Sequence, residues 1–245
     1  MPAARERHPR RPEDFVVGDL PATVYYIPDF LSLSICQLLL QNIQSTASHV
    51  WTKLAHRRLL AFPSQLTGKN RDTLVAGLSS LPPYLVDDIL PKFGELGIFA
   101  DSPHGAPNHI LVNEYLPGQG IMPHEDGSAY HPVVATVSLG GSIVLDIYSK
   151  SSPDGGQHQH QQHWRVLQEP GSLLVTTGEC YTHTIHGIAE IRIDDQINAS
   201  EIANWHLLAN AGRYTNGVNV RTTRVSLTYR DVKKVVKCGV LGQKG

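Results

Sequence analysis

The chain has 245 residues, 41% of them apolar and 18% charged, with a formal net charge of -1. That length and composition suit one domain or at most two around a real core, and they exclude a polycationic chain, so any nucleic-acid contact must come from a local patch. The three cysteines, Cys36, Cys180 and Cys238, are scattered and form no CxxC pair, which argues against a disulfide framework or a zinc ribbon and favours a reducing compartment.

No run of about 18 apolar residues occurs, so no membrane span is expected. Residues 1–13 are rich in Arg and Pro and lack an apolar core, so no secretory signal is expected there either. The tail, residues 1–20, reads as a disordered basic segment, with a localisation or phosphate-binding arm as the alternative. Residues 21–245 read as a single domain.

Tyr25 to Phe30 is a short strand candidate. A helix follows from about Ser32 to Ser45, because Ile35, Leu38, Leu39 and Ile43 recur at helical spacing and Asp29 or Ser32 can cap its start. Around Leu81-Pro82-Pro83 a second helix is expected to begin and to run towards Leu90, where Pro91 stops it.

From residue 109 the period changes to two. His109–Leu116, Val133–Leu139, Ser142–Tyr148, His163–Leu167, Ser172–Thr177 and Val220–Asp231 read as short strands, punctuated by Gly and Pro. Helices followed by many strands suggest an α+β chain whose second part is a sandwich or double-sheet jelly roll. A polar loop is expected over residues 149–162, SKSSPDGGQHQHQQ. His158, His160 and His163 read better as part of that loop than as a metal tract. Residues 199–208 could form one short helix in a long insertion. Gly118-Gln119-Gly120 leads into an extended segment, not a helix start, and so does not read as a phosphate loop.

His124 and Asp126 stand two apart. On an extended segment they face the same way, roughly 6.5–7 Å apart, close enough to share one ion while Glu125 points away. A third ligand must come from elsewhere. His186, in Thr184-Ile185-His186-Gly187, lies beside a strand end; His183 competes with it, and the glycine after His186, which permits close backbone packing, favours His186. Two imidazoles and one carboxylate make a facial triad that leaves three positions of an octahedral iron open. A cysteine-rich zinc site is excluded by cysteine placement.

Arg224-Val225-Ser226-Leu227-Thr228-Tyr229-Arg230 alternates strictly. Arg224, Ser226, Thr228 and Arg230 share one face. A half-buried strand would turn that face to water, but two guanidinium groups and two hydroxyls in a row also make a receptor for a dicarboxylate. Leu111, Asn113 and Tyr115 share a face in the same manner, again readable as surface polarity or as site groups.

N-x-Y, then H-x-D, then a late His, then R-x-S-x-T-x-R, in this order, resembles the AlkB family of Fe(II)/2-oxoglutarate dioxygenases. The stretch from Asn113 to Tyr148, the segment from Tyr25 to Phe30, Trp51, Ile185-His186-Gly187-Ile188-Ala189 and the terminal RVSLTYRDV are similar to the sixth AlkB-homologue subfamily, so that the resemblance spans about residues 20 to 235. It implies a double-stranded β-helix, a jelly-roll variant, with the N-terminal helices packed on one sheet. It also implies Fe(II) on His124, Asp126 and His186, with 2-oxoglutarate as co-substrate among Asn113, Tyr115, Arg224, Ser226 and Arg230, and O2 as oxidant.

The implied reaction converts 2-oxoglutarate to succinate and CO2 while a C–H bond is hydroxylated; an N-methyl carbon so hydroxylated leaves as formaldehyde. N-methylated nucleic acid, presented as a single-stranded or flipped base, is the expected substrate, with a protein or small-molecule substrate as the alternative. Lys53, His56, Arg57 and Arg58 near Trp51 offer phosphate contact and stacking, or else form a solvated charged loop. A monomer acting in cytoplasm and nucleus, with no membrane partner, is expected.

Overall fold

The computed structural model describes residues 11–20, 24–63, 66–76, 80–150 and 161–237. Cys238, His158, His160, most of the polar loop and the first ten residues lie outside the described residues.

Strand β1 (Val24–Ile27) leads into helix α1 (Leu33–Gln44). Ser32 caps that helix by accepting from the Ile35 amide at 3.4 Å, which satisfies one of the free donors at a helix start. Next comes a hairpin that the periodicity did not announce, β2 (Thr52–Leu54) and β3 (Arg57–Phe62), and then β4 (Thr73–Ala76).

The expected single helix after Leu81 is two short ones, α2 (Pro83–Val86) and α3 (Leu90–Glu95). Pro91 therefore does not stop a helix. It stands at the second position of α3, where its missing N–H costs nothing, so both helices carry proline in their first turn.

Eight strands and a short helix follow: β5 (His109–Tyr115), β6 (Ile121–His124), β7 (Tyr130–Gly140), β8 (Ile143–Ser149), β9 (His163–Gln168), β10 (Leu173–Thr177), α4 (Gly178–His183), β11 (Thr184–Ile188) and β12 (Ile193–Asp194). Then come β13 (Asn219–Val220), β14 (Arg224–Val232) and β15 (Lys234–Lys237). The helix expected over 199–208 is reduced to a single 3-10 turn at Trp205–Leu207. Asn204 explains this: its side chain donates to Leu167 O at 2.8 Å and accepts from Leu167 N at 2.9 Å, docking the segment on β9 as a strand edge would. The long strand expected from Val220 is broken, since Val220 pairs with Ile193 and the main strand starts at Arg224.

Seven strands form one sheet in the order β1-β10-β7-β14-β5-β3-β2; four form a second in the order β6-β11-β8-β9. Their inner faces meet through Tyr26, Leu174 and Tyr115 on one side and Ile143, Ile147 and Ile188 on the other. The outer face of the large sheet is covered by α1, α2 and α3, whose Leu39, Ile43, Leu85 and Phe93 pack on Val112, Val137, Leu227 and Tyr229. The result is a double-stranded β-helix core with helices on one sheet. Because both faces of the large sheet are covered, every residue of its central strand β14 is buried. The polar face of that strand therefore turns inward.

The segment between β11 and β14 has little regular structure and is held by a buried ion pair. Arg221 donates to Asp194 through Nε at 2.9 Å and Nη2 at 2.5 Å, and through Nη1 to Ala189 O at 2.6 Å. Asn219 completes the cluster, donating to Asp194 at 2.8 Å and to Ser142 O at 3.0 Å. Both charged side chains are almost fully shielded, 2% and 1% exposed.

Candidate active site

Strands β6 and β11 pair so that His124 lies opposite His186. Asp126 follows just past the end of β6, and His124, Asp126 and His186 each offer a ligand atom within 4.8 Å of the others. The two imidazole centroids are 4.7 Å apart. His124 Nδ1 lies 2.9 Å from the carbonyl of Met122, so the proton donated there leaves Nε2 with its lone pair for an ion. His183 stands exposed at the end of α4, outside this cluster. Glu125 points outward and pairs with Lys150 at 2.9 Å.

Burial by itself would raise the Asp126 carboxyl, but the Arg230 guanidinium, with the two imidazoles, outweighs it and holds the group below the usual carboxylate range. Arg230 donates to Asp126 directly through Nη2. Burial also pushes His186 down to about 4, despite Asp126 pulling the other way. At neutral pH the trio is thus a carboxylate with a neutral imidazole at His186, the protonation a metal requires of its ligands.

The close fit of the two strands depends on Gly187. A Cβ there would stand 2.9 Å from both Ile121 O and Pro123 N, which are backbone atoms that cannot rotate away. Gly187→Ala should therefore push β6 off β11 and separate His124 from His186. We expect metal affinity to fall about tenfold or more, the scale of losing an outer partner of a metal ligand. Competition against a chelator measures it; unchanged affinity would show that the strand spacing does not set the site.

The cluster opens into a cavity of about 260 Å³ between the sheets. Its floor is formed by β14 and β5 in antiparallel register, with Arg224 opposite Tyr115, Ser226 opposite Asn113 and Thr228 opposite Leu111. All five residues named for a co-substrate (Asn113, Tyr115, Arg224, Ser226 and Arg230) line it together with the trio. Apolar walls come from Ile121, Leu145, Ile147 and Leu174.

At the far end Arg224 is held by Ser138 Oγ at 2.9 Å and Gln168 Oε1 at 3.0 Å, both through Nη2. Burial pulls Arg224 down to about 10, which leaves it charged at neutral pH. Among the described residues, the Nε atoms of Arg224 and Arg230 are buried without a hydrogen-bond partner. Orphaned buried donors are rare, and here both belong to permanent cations in one cavity, as expected of a receptor for an anion. Burial raises the Tyr115 phenol against the pull of Arg224, Arg57 and Arg230, so it remains a donor. The donor set of two nitrogens and one oxygen therefore fits Fe(II), and the cationic end fits a dicarboxylate.

The sequence pattern of the 2OG-Fe(II) oxygenase superfamily matches residues 23–230. The chain belongs to this family. The oxygenase is 35% identical over 240 residues, 95% of either chain, to "Probable RNA/DNA demethylase ALKBH6" of Danio rerio. It is 27% identical over 222 residues to "tRNA (carboxymethyluridine(34)-5-O)-methyltransferase alkbh8" of Xenopus tropicalis, covering 87% of this chain but 32% of that relative, so it spans about a third of the longer protein. Among solved structures, that of OsALKBH1 superposes with a TM-score of 0.53 at 15% identity, over 86% of this chain and 98% of that one, a likeness of fold alone. The likeness to AlkB homologues read from the motifs is borne out, and with it Fe(II), 2-oxoglutarate and O2 as the reagents of the oxygenase.

Two features escaped the sequence. Arg58, grouped with a basic surface cluster, is bound bidentately to Glu114 at 2.6 and 2.8 Å and lies 4.1 Å above the Trp51 ring. Trp51 itself is buried and so is not available for base stacking, and the Arg58 charge is already paired with Glu114. Arg57, its neighbour, lines the cavity and donates through Nε to Asn113 Oδ1 at 3.2 Å. The alternation that could have revealed this, Arg57-Leu59-Ala61, is obscured because Leu60 on the other face is also apolar.

Proposed function

We propose that His124, Asp126 and His186 hold the iron and that Arg224 and Arg230, with Tyr115, Asn113 and Ser226, hold and orient 2-oxoglutarate in an oxidative demethylase of N-methylated nucleic acid. The observation that carries the reading is the meeting of the donor trio and the two arginines of β14 in one cavity. Iron, 2-oxoglutarate and O2 supply the oxidation there, with succinate and CO2 formed as a C–H bond is hydroxylated.

The chain's own residues do the positioning. Arg224, fixed by Ser138 and Gln168, presents Nε and its charge to the distal carboxylate. Tyr115 donates its phenolic proton to the same group. Arg230 pins Asp126, so one carboxylate oxygen is held while the other is left to the ion. The apolar walls keep bulk water from the reacting centre.

Arg224→Ala is expected to weaken 2-oxoglutarate binding about tenfold to a hundredfold, the loss of a charge-assisted contact, with little change in metal affinity. Equal loss of both would mean misfolding instead.

Support for a nucleic-acid substrate comes from the names of the relatives and from charge. A second chamber of about 230 Å³ adjoins the first through Leu59 and Leu111 and is bordered by Arg71, His109 and Tyr130. Beside it, β4 and β15 pair in parallel with Lys234 opposite Thr73 and Lys237 opposite Ala76, so that these two strands and the residues leading into them carry Lys69, Arg71, Lys233, Lys234 and Lys237. Among the described residues none of these five cations takes part in an ion pair. Formaldehyde release from N-methylated single-stranded oligonucleotides, against N-methylated peptides, tests the substrate class. Release from peptides alone would replace the nucleic-acid reading with a protein demethylase of the same chemistry.

A further inference from the structure

Five residues of the cavity floor were legible as site groups, but none of them explains how Asn113 comes to face an anion in the right sense. An asparagine amide has two ends of nearly the same shape and opposite polarity: the oxygen accepts and the nitrogen donates. A carboxylate only accepts. Asn113 helps such a group with its nitrogen turned to it and opposes it with its oxygen so turned.

The structure supplies what decides between the two. Arg57 has only N–H donors, and its Nε meets the Asn113 amide at 3.2 Å. The amide atom on that side must be the oxygen, since a nitrogen there would set donor against donor. Nδ2 is then fixed on the remaining side, and among the described residues it has no hydrogen-bond partner of its own. Asn113 lies on the cavity floor opposite Ser226.

Arg57 is well placed for this duty. It starts β3, which pairs with β5 so that Leu59 faces Asn113 across the ladder. The next residue, Arg58, grips Glu114 from the opposite face of the same two strands. Two successive arginines of β3 therefore hold two successive residues of β5, one from each side. The turn of the hairpin is anchored separately, His56 Nδ1 lying 3.2 Å from Glu190 Oε2. Arg57 is thus a fixed group.

We infer that Arg57 is a positioning residue for the co-substrate: by holding the oxygen of Asn113 it turns the Asn113 amide nitrogen to the carboxylate of 2-oxoglutarate. This rests on Asn113 being a co-substrate contact. Without Arg57 nothing holds the amide oxygen, and the Arg224 and Arg230 cations of the cavity draw it inward, so that in most molecules the amide sets an acceptor against an acceptor.

The test is a double-mutant cycle on the full chain loaded with Mn(II), a redox-inert stand-in for iron. 2-Oxoglutarate binding is read anaerobically by calorimetry, and the melting temperature is followed in parallel. Arg57→Met and Asn113→Ala should each raise the dissociation constant about tenfold, and the double variant should exceed Asn113→Ala by no more than about twofold, because both changes remove one arrangement. Arg57→Lys, which also only donates, should stay within about threefold of the parent.

Asn113→Asp gives the sharper readout. It keeps an acceptor for Arg57, indeed a charged one, yet removes the donor, and should bind 2-oxoglutarate at least as poorly as Asn113→Ala.

Multiplying effects in the double variant would mean that Arg57 touches the co-substrate itself and would overturn the inference. So would an Arg57→Met variant that binds as the parent does. If Asn113→Ala alone binds normally, the assignment of Asn113 falls and the inference with it, while a loss confined to Asn113→Ala overturns the inference alone.

Discussion

An Asp126→Asn variant is expected to lose more than about a hundredfold in iron affinity and, with it, measurable succinate formation. The exchange keeps the size of the side chain and one oxygen, so packing is not at issue. It removes the only carboxylate of the trio and the charge that Arg230 faces. Loss of an outer partner of a metal ligand costs about 10–100-fold, and loss of the ligand's own charge should cost more.

The fold should survive with reduced stability. Removing one partner of a buried pair costs about 3–5 kcal/mol, and the retained amide oxygen, still able to accept from Arg230, keeps the cost below that. His183→Ala is the control: exposed and outside the cluster, it should leave iron binding and succinate formation as they are. Iron affinity in Asp126→Asn within threefold of the parent would show the ligand set to be misassigned.

The largest effect on stability is expected from Asp194→Ala. It strands Arg221, which is 2% exposed, and takes partners from Asn219 as well. An uncompensated buried charge costs about 3–5 kcal/mol, against a total stability of about 5–15 kcal/mol for an ordinary domain. Urea unfolding should show the midpoint falling accordingly. Neither residue lines the cavity, so the folded fraction should bind metal with the parent's affinity. Pairing Asp194→Ala with Arg221→Met, which takes away the stranded charge, should recover part of the loss. No recovery in that pair would place the damage in the backbone of the segment rather than in the charge.

How much of this was legible follows from which residues carry periodicity. The inward face of β14 could be read from strict alternation, but whether it met water or an interior could not. That depended on α1 to α3 covering the opposite face of the sheet, a contact between segments more than a hundred residues apart. His124 and Asp126 were legible from their spacing. His186 was named from the glycine after it and from the resemblance, but its place opposite His124 needed the register of β11 against β6, two strands too short to show a period of their own. The β2–β3 hairpin was lost for a related reason: RRLLAF does not alternate, because Arg57 and Arg58 point to opposite faces and each is satisfied inside the protein. Pro91 misled because proline serves a helix's first turn as readily as it stops one.

The pairing of β6 with β11 has a thermodynamic side. β6 is the outermost strand of the small sheet and has β11 as its one neighbour there. Edge strands of four residues fray easily. An ion taken by His124 on one strand and His186 on the other acts as a cross-link between them, so its binding free energy is also docking free energy for the edge. Occupancy and edge order are then two readings of one equilibrium. Amide exchange at Ile121, Met122 and His124 should slow in proportion to metal concentration over its dissociation constant, which makes the rim of the sheet a gauge of how much iron the protein holds.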